Sequence, residues 1–499
     1  LDNKVQIEGG TIMKQISWSD FSRRHIMKMG AAAAATGAMT SAFPGQAFAG
    51  AEEDRIIASA KKATPNATEV TGILWSNYQR AMQPVIKEFG ELTGITMPKI
   101  QDISIFDTPQ RAMAEALSKS PEFDFFHLDA TMIPSLASAG LLEPLDDYFE
   151  AAGFKINAVG DFNKFVTYKG KSYGVITDGN VHVQFIRNDL FGNADERKAY
   201  ADKHGRELAW PETWEDDLEA MKFFNRPDQE LWGSANLRDR GSSMAWFYMY
   251  LYSAGGFPFD DDGNPTLDND AGEYAVQTYL DVKAVSHPEA AGWGTPQMIP
   301  RIVNGNAYSC QYWDGIIALA ENPAKSKTTG KWVYGPVPGS KHSGKLLKRS
   351  VSTNVASIVV NRHSPRKAAM AHLAMYLGTS ANSATIVGDP VNTFHDPWHV
   401  DHFKPGSLPE KTYTKGGMKA IKQNLTITTP GVYLTGLLEF ETELKRNMSE
   451  AYAGSKTAKQ VVKDTQDAWA RAARRIGKRR LKGEMATYKS LFPSNDLPT

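Results

Sequence analysis

Apolar positions along residues 70–130 change period several times, and each change marks an element. VTGILW (70–75) is a short β-branched run, and after it Met82, Val85, Ile86 and Phe89 recur at helical spacing on one face. A second strand is expected around Thr96–Ile100. Thr108-Pro109 then reads as a cap followed by proline at the first helical position, opening a helix lined by Met113, Ala116 and Leu117. FDFFHLDA (123–130) is a buried strand ending in an acid. Strands alternating with helices in this way predict an open parallel sheet.

Beyond this the pattern is more varied. KGKSYGVITDGN (169–180) reads as a hairpin, and VHVQFIR (181–187) alternates like a half-buried strand. Thr213 is placed to cap a helix carrying Trp214, Leu218 and Met221, and Asp270 with Glu273 forms a capping-box pattern before another. Between them lie GSSMAWFYMYLYSAGG (241–256), an aromatic-rich buried helix, and the turn DDDGNP (260–265). VASIVV (355–360) is a strand, and Ser364-Pro365 starts a helix that Gly378 ends. The C-terminal region reads as helices, one with the stripe Val462, Thr465, Trp469, Ala472 and Ile476.

Composition narrows the function. With 499 residues, 41% apolar and 22% charged, the chain has room for more than one domain and a sizeable core. Lysine plus arginine equals aspartate plus glutamate at 56 each, so no global field draws it to nucleic acid or an anionic membrane. The single cysteine, Cys310, excludes an internal disulfide and a cysteine-based zinc site.

The N-terminal region reads as an export signal. Arg23, Arg24 and Lys28 form the charged part, residues 29–43 an apolar stretch too short and too rich in small residues to span a bilayer, and Ala47-Phe48-Ala49 a cleavage site. Ser22-Arg23-Arg24-His25-Ile26-Met27-Lys28 resembles the twin-arginine motif, with Ile and Met where Phe and Leu are usual. Met13 reads as the initiator, with residues 1–12 upstream of it. Cleavage after Ala49 would leave the remainder in the periplasm.

Several stretches, in order, are similar to those of one family. They include FGELTGI (89–95), FDFFHLDATMIPSLASAGLLEPLDDYF (123–149), GKSYGVITDGN with IRNDLF (186–191), and WPETWED (210–216). AGGFPFDDDGNPTLDN (254–269), NGNAYSCQYWDG (304–315), YGPVPG (334–339) and NRHSPRKAAMAHLAMYL (361–377) continue the series. Together they resemble the extracellular solute-binding proteins of bacterial ABC importers, the class that includes maltose- and other sugar-binding proteins. The resemblance implies an α/β, two-lobed periplasmic binding protein fold of class II, each lobe an open sheet flanked by helices and joined by a hinge. Lobe one is expected at 68–179 plus 354–393, and lobe two at 180–353 plus 394–499. Two departures fall in the expected ligand region. Ser352-Thr353-Asn354 stands where a Gly-Gly pair is usual, and the proline usual at 175–178 is missing, with Asp178 nearby.

Open α/β sheets bind ligands beyond the carboxyl ends of their strands. That rule selects Trp75, Ser76, Asn77 and Tyr78, then Asp129 and Thr131, then Asp178, Gly179 and Asn180. The resemblance adds Trp246, Trp313, Asp314, Gly315, Thr353, Asn354 and Asn392. Carboxylates and amides match adjacent hydroxyls, and indole or phenol faces pack on the C–H side of a sugar ring. The expected function is periplasmic capture of a sugar, oligosaccharide or polyol by hinge closure, for delivery to the permease of an ABC importer. The chain is expected to act as a monomer, without cofactor, metal or nucleic acid. A cationic solute such as a quaternary ammonium or polyamine would also suit aromatic rings among carboxylates. An exported carbohydrate-active enzyme using Asp129 and Asp178 is the alternative of another class.

Other signals are set aside. HDPWHVDH (395–402) has a metal-like density of His and Asp, but Pro397 breaks a common helix face, so it reads as a polar surface loop. DDDGN lacks the ligand register of a calcium loop. RAARRIGKRRLKG (471–483) borders an amphipathic stripe and reads as a solvated face. No nucleophile-elbow, zinc-protease, P-loop or dinucleotide motif is present.

Overall fold

In a computed structural model of the chain, the described residues are 44–64, 68–76, 78–105, 107–120, 122–389 and 394–493, with backbone alone at 44–49, 98 and 116. The export-signal reading and its cleavage site, Asn77 and Asn392 lie outside the described residues or side chains. Residues 1–48 and 49–499 are separate units, and both sheets and the candidate site belong to the second.

Two sheets organise this unit. The first contains β1 (Thr68–Trp75), β2 (Ile95–Ile103), β3 (Phe125–Asp129), β4 (Gly174–Ile176) and β9 (Ala356–Val360), in the order β2-β1-β3-β9-β4. β1 pairs in parallel with both β2 and β3, whereas β9 is antiparallel to β3 and β4. The second contains β5 (His182–Arg187), β6 (Trp232–Ser234), β7 (Ala307–Trp313) and β8 (Trp332–Gly335), in the order β8-β5-β7-β6. β6 runs parallel to β7, and β5 antiparallel to it, with His182 opposite Trp313. The end of β7, the end of β6 and the start of β5 therefore share one edge. Helices pack around both sheets, giving the two-lobed α/β architecture.

Several local expectations are displaced. β5 is buried along its whole length rather than on alternate residues, because it is an internal strand with helices on both faces and its polar residues pair inside. Leu117 is 80% exposed instead of lining its helix. Thr108 begins that helix rather than capping it, donating its hydroxyl to the Ser104 carbonyl at 3.0 Å. The cap of the 270–281 helix is Asn269, one residue earlier than expected, accepting from the Gly272 N–H at 2.9 Å. Thr213 does cap, with the reciprocal Asp216 contact of a capping box. A helix unforeseen in the sequence, Pro44–Ala63, packs Ile56, Ile57 and Ala60 against Met82, Phe89 and Met370.

The sheets are joined by residues 177–181 between β4 and β5, by 353–355 before β9, and by the return near 394–398. Away from these joints, Tyr168 donates to Glu484 at 2.7 Å, and Tyr433 reaches the carbonyls of Phe165 and Thr167 at 3.0 and 3.1 Å. The C-terminal helices are thus fastened to elements that follow the first sheet's strands.

Candidate ligand-binding site

The end of β1 and the end of β3 bring Trp75, Tyr78 and His127 together. Trp75 lies 4.5 Å from the His127 ring, tilted 32°, and 5.3 Å from Tyr78 edge-on. Thr177 donates its hydroxyl to the Ala356 carbonyl, so it accepts from Nε2–H of His127 at 2.9 Å. His127 therefore keeps a bare Nδ1, which has no partner although it is buried, and neither does the Trp75 indole N–H. Burial holds the His127 pKa well below the usual histidine value, so the ring is neutral.

A second aromatic group stands on the shared edge of the other sheet. His182 packs against Trp313 at 4.7 Å and Trp246 at 5.2 Å, and the two indoles meet edge-on at 5.8 Å. The Val351 carbonyl fixes Nδ1–H of His182 at 3.2 Å, leaving Nε2 bare. Burial pushes this histidine down to about 4. The indole N–H groups of Trp246 and Trp313 are also buried without partners. Trp246 is completely buried and Trp313 half-buried, so Trp313 is the more open face.

Between the two groups lies a set of carboxyls that fastens the joints. Asp178 accepts from the Tyr78 hydroxyl at 3.1 Å and from the Asp396 N–H at 2.5 Å. Asp314 accepts from the Val181 N–H at 2.9 Å, with its Oδ2 buried and unpartnered, and the Asp396 carboxyl accepts from Tyr413 at 3.2 Å. Burial is the main cause raising all three pKa values well above the carboxylate range, and mutual repulsion adds to it. Burial thus favours the protonated form of each. Glycine is required at Gly179, where a Cβ would sit 2.4 Å from the Pro397 carbonyl oxygen; one on Gly315 would meet the Asp396 carboxyl at 2.6 Å. Ser352, in the segment where Gly-Gly was expected, donates across the joint to the Asn180 carbonyl at 2.5 Å.

The expected residues separate into three groups. Trp75, Tyr78, Asp178, Gly179, Asn180, Trp246, Trp313, Asp314 and Gly315 form one connected assembly. Thr353 lies nearby, buried, with an unpartnered hydroxyl, as does the side-chain carbonyl of Asn180. Ser76 is exposed at the rim and Asn354 half-buried. Asp129 is a cap: it accepts from the Thr131 N–H at 3.0 Å, while burial lifts its pKa to about 8. The buried Thr131 hydroxyl has no partner.

The 395–402 segment corrects the surface-loop expectation, because His395, Asp396, Trp398, His399 and His402 are all buried. His402 Nδ1 accepts the N–H groups of Trp398 and His399, and His399 Nδ1 accepts that of Asp401. Those lone pairs are committed to main chain, and no metal-holding cluster occurs among the described residues. His395 lies 3.0 Å from the Thr177 carbonyl and 3.1 Å from the Tyr78 carbonyl, and as a neutral ring donates to one of them. His127, His182, His395, Asp396 and Tyr413 are the participants that the sequence did not single out. The His/Asp density at 395–402 was the signal for two of them.

This two-lobed fold, with an aromatic group at the strand ends of each sheet, defines a class of solute receptor. Residues 75–382 match the family model described as bacterial extracellular solute-binding protein, and the chain belongs to that family. A probable amino-acid ABC transporter periplasmic-binding protein, y4oP, of Sinorhizobium fredii is 26% identical over 274 residues, covering 52% of this chain and 58% of that protein. The match thus spans little more than half of that relative. Among solved structures, a ribitol complex of a solute-binding protein from Agrobacterium radiobacter K84 superposes with a TM-score of 0.69 at 16% identity, covering 81% of this chain and 99% of the other. A D-mannitol complex from Agrobacterium vitis S4 gives 0.67 at 18%, covering 82% and 99%. Maltose-bound MalE3 of T. maritima gives 0.66 at 18%, covering 81% and 99%. At these identities the likeness establishes the fold.

Proposed function

We propose that this protein captures a small polyhydroxylated solute between its two lobes and presents it to the permease of an ABC importer. The carrying observation is the pair of aromatic groups, one on each sheet, with buried and unmatched polar atoms. Indole N–H groups of Trp75, Trp246 and Trp313 can donate, while His127 Nδ1, His182 Nε2 and the Asn180 side-chain carbonyl can accept. A hydroxyl does both, so a polyol or sugar satisfies such a mixture while its C–H faces cover the rings. The ribitol, mannitol and maltose complexes of the similar structures support this ligand class. Contact with both lobes favours the closed state, which is the form a permease would recognise.

The cationic alternative is weakened by the carboxyls themselves. Asp178 is engaged by Tyr78 and main chain, and burial raises the pKa values of Asp314 and Asp396 and so favours their protonated forms, leaving little free negative charge. As an enzyme, the chain would need free carboxyls, whereas Asp129 caps a turn. The reading also includes export through the twin-arginine route, cleavage near Ala49, periplasmic residence and a monomeric state. No helix among the described residues is long and apolar enough to cross a membrane.

A thermal-shift screen of sugars, polyols, amines and amino acids tests the reading. A ligand that binds the folded state alone raises the melting temperature by mass action, by about 2.7 kcal/mol of stability at a hundredfold excess over Kd. Polyols or sugars should produce the shift, and Trp313→Ala should remove most of it without lowering the ligand-free melting temperature by more than a few degrees. A shift with amines and with no carbohydrate would overturn the assignment.

A further inference from the structure

Arg238 is a feature of the second sheet's edge that a neutral sugar leaves unexplained. It lies four residues beyond the end of β6, on the edge that carries His182 and Trp313, and is 1% exposed. Its guanidinium stacks between two rings, 4.4 Å from the centroid of Tyr279 and 5.5 Å from that of Trp246. Nη1 donates to the Leu237 carbonyl at 2.8 Å, but Nε and Nη2 are buried with no partner. Among the described residues no carboxylate lies within 4.0 Å of it. The adjacent Asp239 accepts from the Gly241 N–H through Oδ2 at 2.9 Å, and its Oδ1 is buried without a hydrogen-bond partner.

A fully buried guanidinium without a counter-charge is costly unless something supplies one. Two adjacent N–H groups on a rigid planar fork match the two oxygens of a carboxylate. The neighbouring unmatched atoms are of both kinds: the indole N–H groups of Trp246 and Trp313 donate, the Ser243 hydroxyl can do either, and His182 Nε2 and Asp239 Oδ1 accept, which suits a solute carrying hydroxyls beside its carboxylate. Stacking on two rings shields the cation partially but satisfies no N–H.

We propose that the solute carries a carboxylate, seated on Nε and Nη2 of Arg238 beside Trp246, so that the ligand is a polyhydroxy acid of the aldonate or uronate type. This rests on the proposed function and narrows it: the carboxylate takes the Arg238 fork, and the hydroxyl-bearing remainder lies between Trp313 and the Trp75–His127 pair.

Matched pairs test this on the full wild-type chain by calorimetric titration and thermal shift at pH 7: gluconate against glucitol, and galacturonate against galactose. Within each pair the compounds differ only where a carboxylate replaces a hydroxymethyl group. The acid should bind tighter by about 50-fold or more, the scale expected when a buried charge regains its partner. Arg238→Met should erase that advantage and also raise the ligand-free melting temperature, because an unpaired buried charge has been removed. Arg238→Lys, which keeps the charge but loses the fork, should retain part of the preference, and it decides the matter should the Met variant fail to fold. Equal or tighter binding of the neutral alcohols overturns the inference and leaves the polyol reading standing. An acid preference untouched by either substitution overturns the role of Arg238. Binding of amino acids alone, lost in Arg238→Met, supports the carboxylate seat and overturns the polyhydroxy body. No response to any of these compounds overturns both proposals.

Discussion

Asp178 shows how a residue chosen for ligand chemistry can be held by its own fold. Its position beyond β4 was legible from the strand-end rule, but its partners were not, because Tyr78 and the Asp396 N–H are 100 and 218 residues away in sequence. Removing the carboxyl in Asp178→Ala should leave a buried O–H and a buried N–H unpaired and cost about 2–4 kcal/mol in urea unfolding. Asp178→Asn should cost about 1 kcal/mol, since burial already favours the uncharged form and the amide oxygen keeps one acceptor in place. Equal losses in the two variants would show that the hydrogen bonds carry none of the difference. The same long-range pairing explains why Arg238 escaped notice. In sequence it is one charged residue in a run of three, LRDRG, and only the fold stacks it on Tyr279 and Trp246.

Elements were read best where local period and burial agree. β1, β3 and the 458–476 helix have one clearly apolar face or a continuous apolar run, and they form where expected. β5 kept a strand pattern but lost its alternation, since Gln184 is bound to Asp217 and Ser309 inside the sheet and so reads as polar while being buried. The 395–402 segment failed for the same reason: its polar groups are satisfied internally, and composition alone cannot distinguish that from solvation. The joint it makes with residues 177–181 depends on close backbone approach at Gly179. Gly179→Ala places a methyl 2.4 Å from the Pro397 carbonyl oxygen, and backbone on that side cannot yield as a flexible side chain would. The substitution should cost about 1–3 kcal/mol and weaken solute binding together with stability. A variant as stable as wild type with unchanged affinity would show that the two segments separate freely.

At the scale of the whole molecule, buried titratable groups oppose one another in their response to pH. Burial raises the carboxyls of Asp178, Asp314 and Asp396, lifts Asp217 to about 7 and lifts Asp129 to about 8. Each binds its proton more tightly when folded, so its contribution is complete below the ordinary aspartate value and is lost as pH rises through the folded value. Histidines 182, 395 and 399 are lowered to about 4, and His127 and His402 well below the usual value. They act in the opposite sense, destabilising the fold as pH falls from about 6.5 toward 4. Across that interval the two sets offset each other, while above about 6.5 only the carboxyls still titrate. Urea unfolding should therefore show stability nearly level from pH 5 to 6.5 and declining toward pH 8. Asp217→Asn should flatten part of the upper decline, by at most about 1.4 kcal/mol per pH unit over the range in which that carboxyl titrates. Stability that climbs steadily from pH 6.5 to 8 would mean that these carboxyls are ionised in the folded protein.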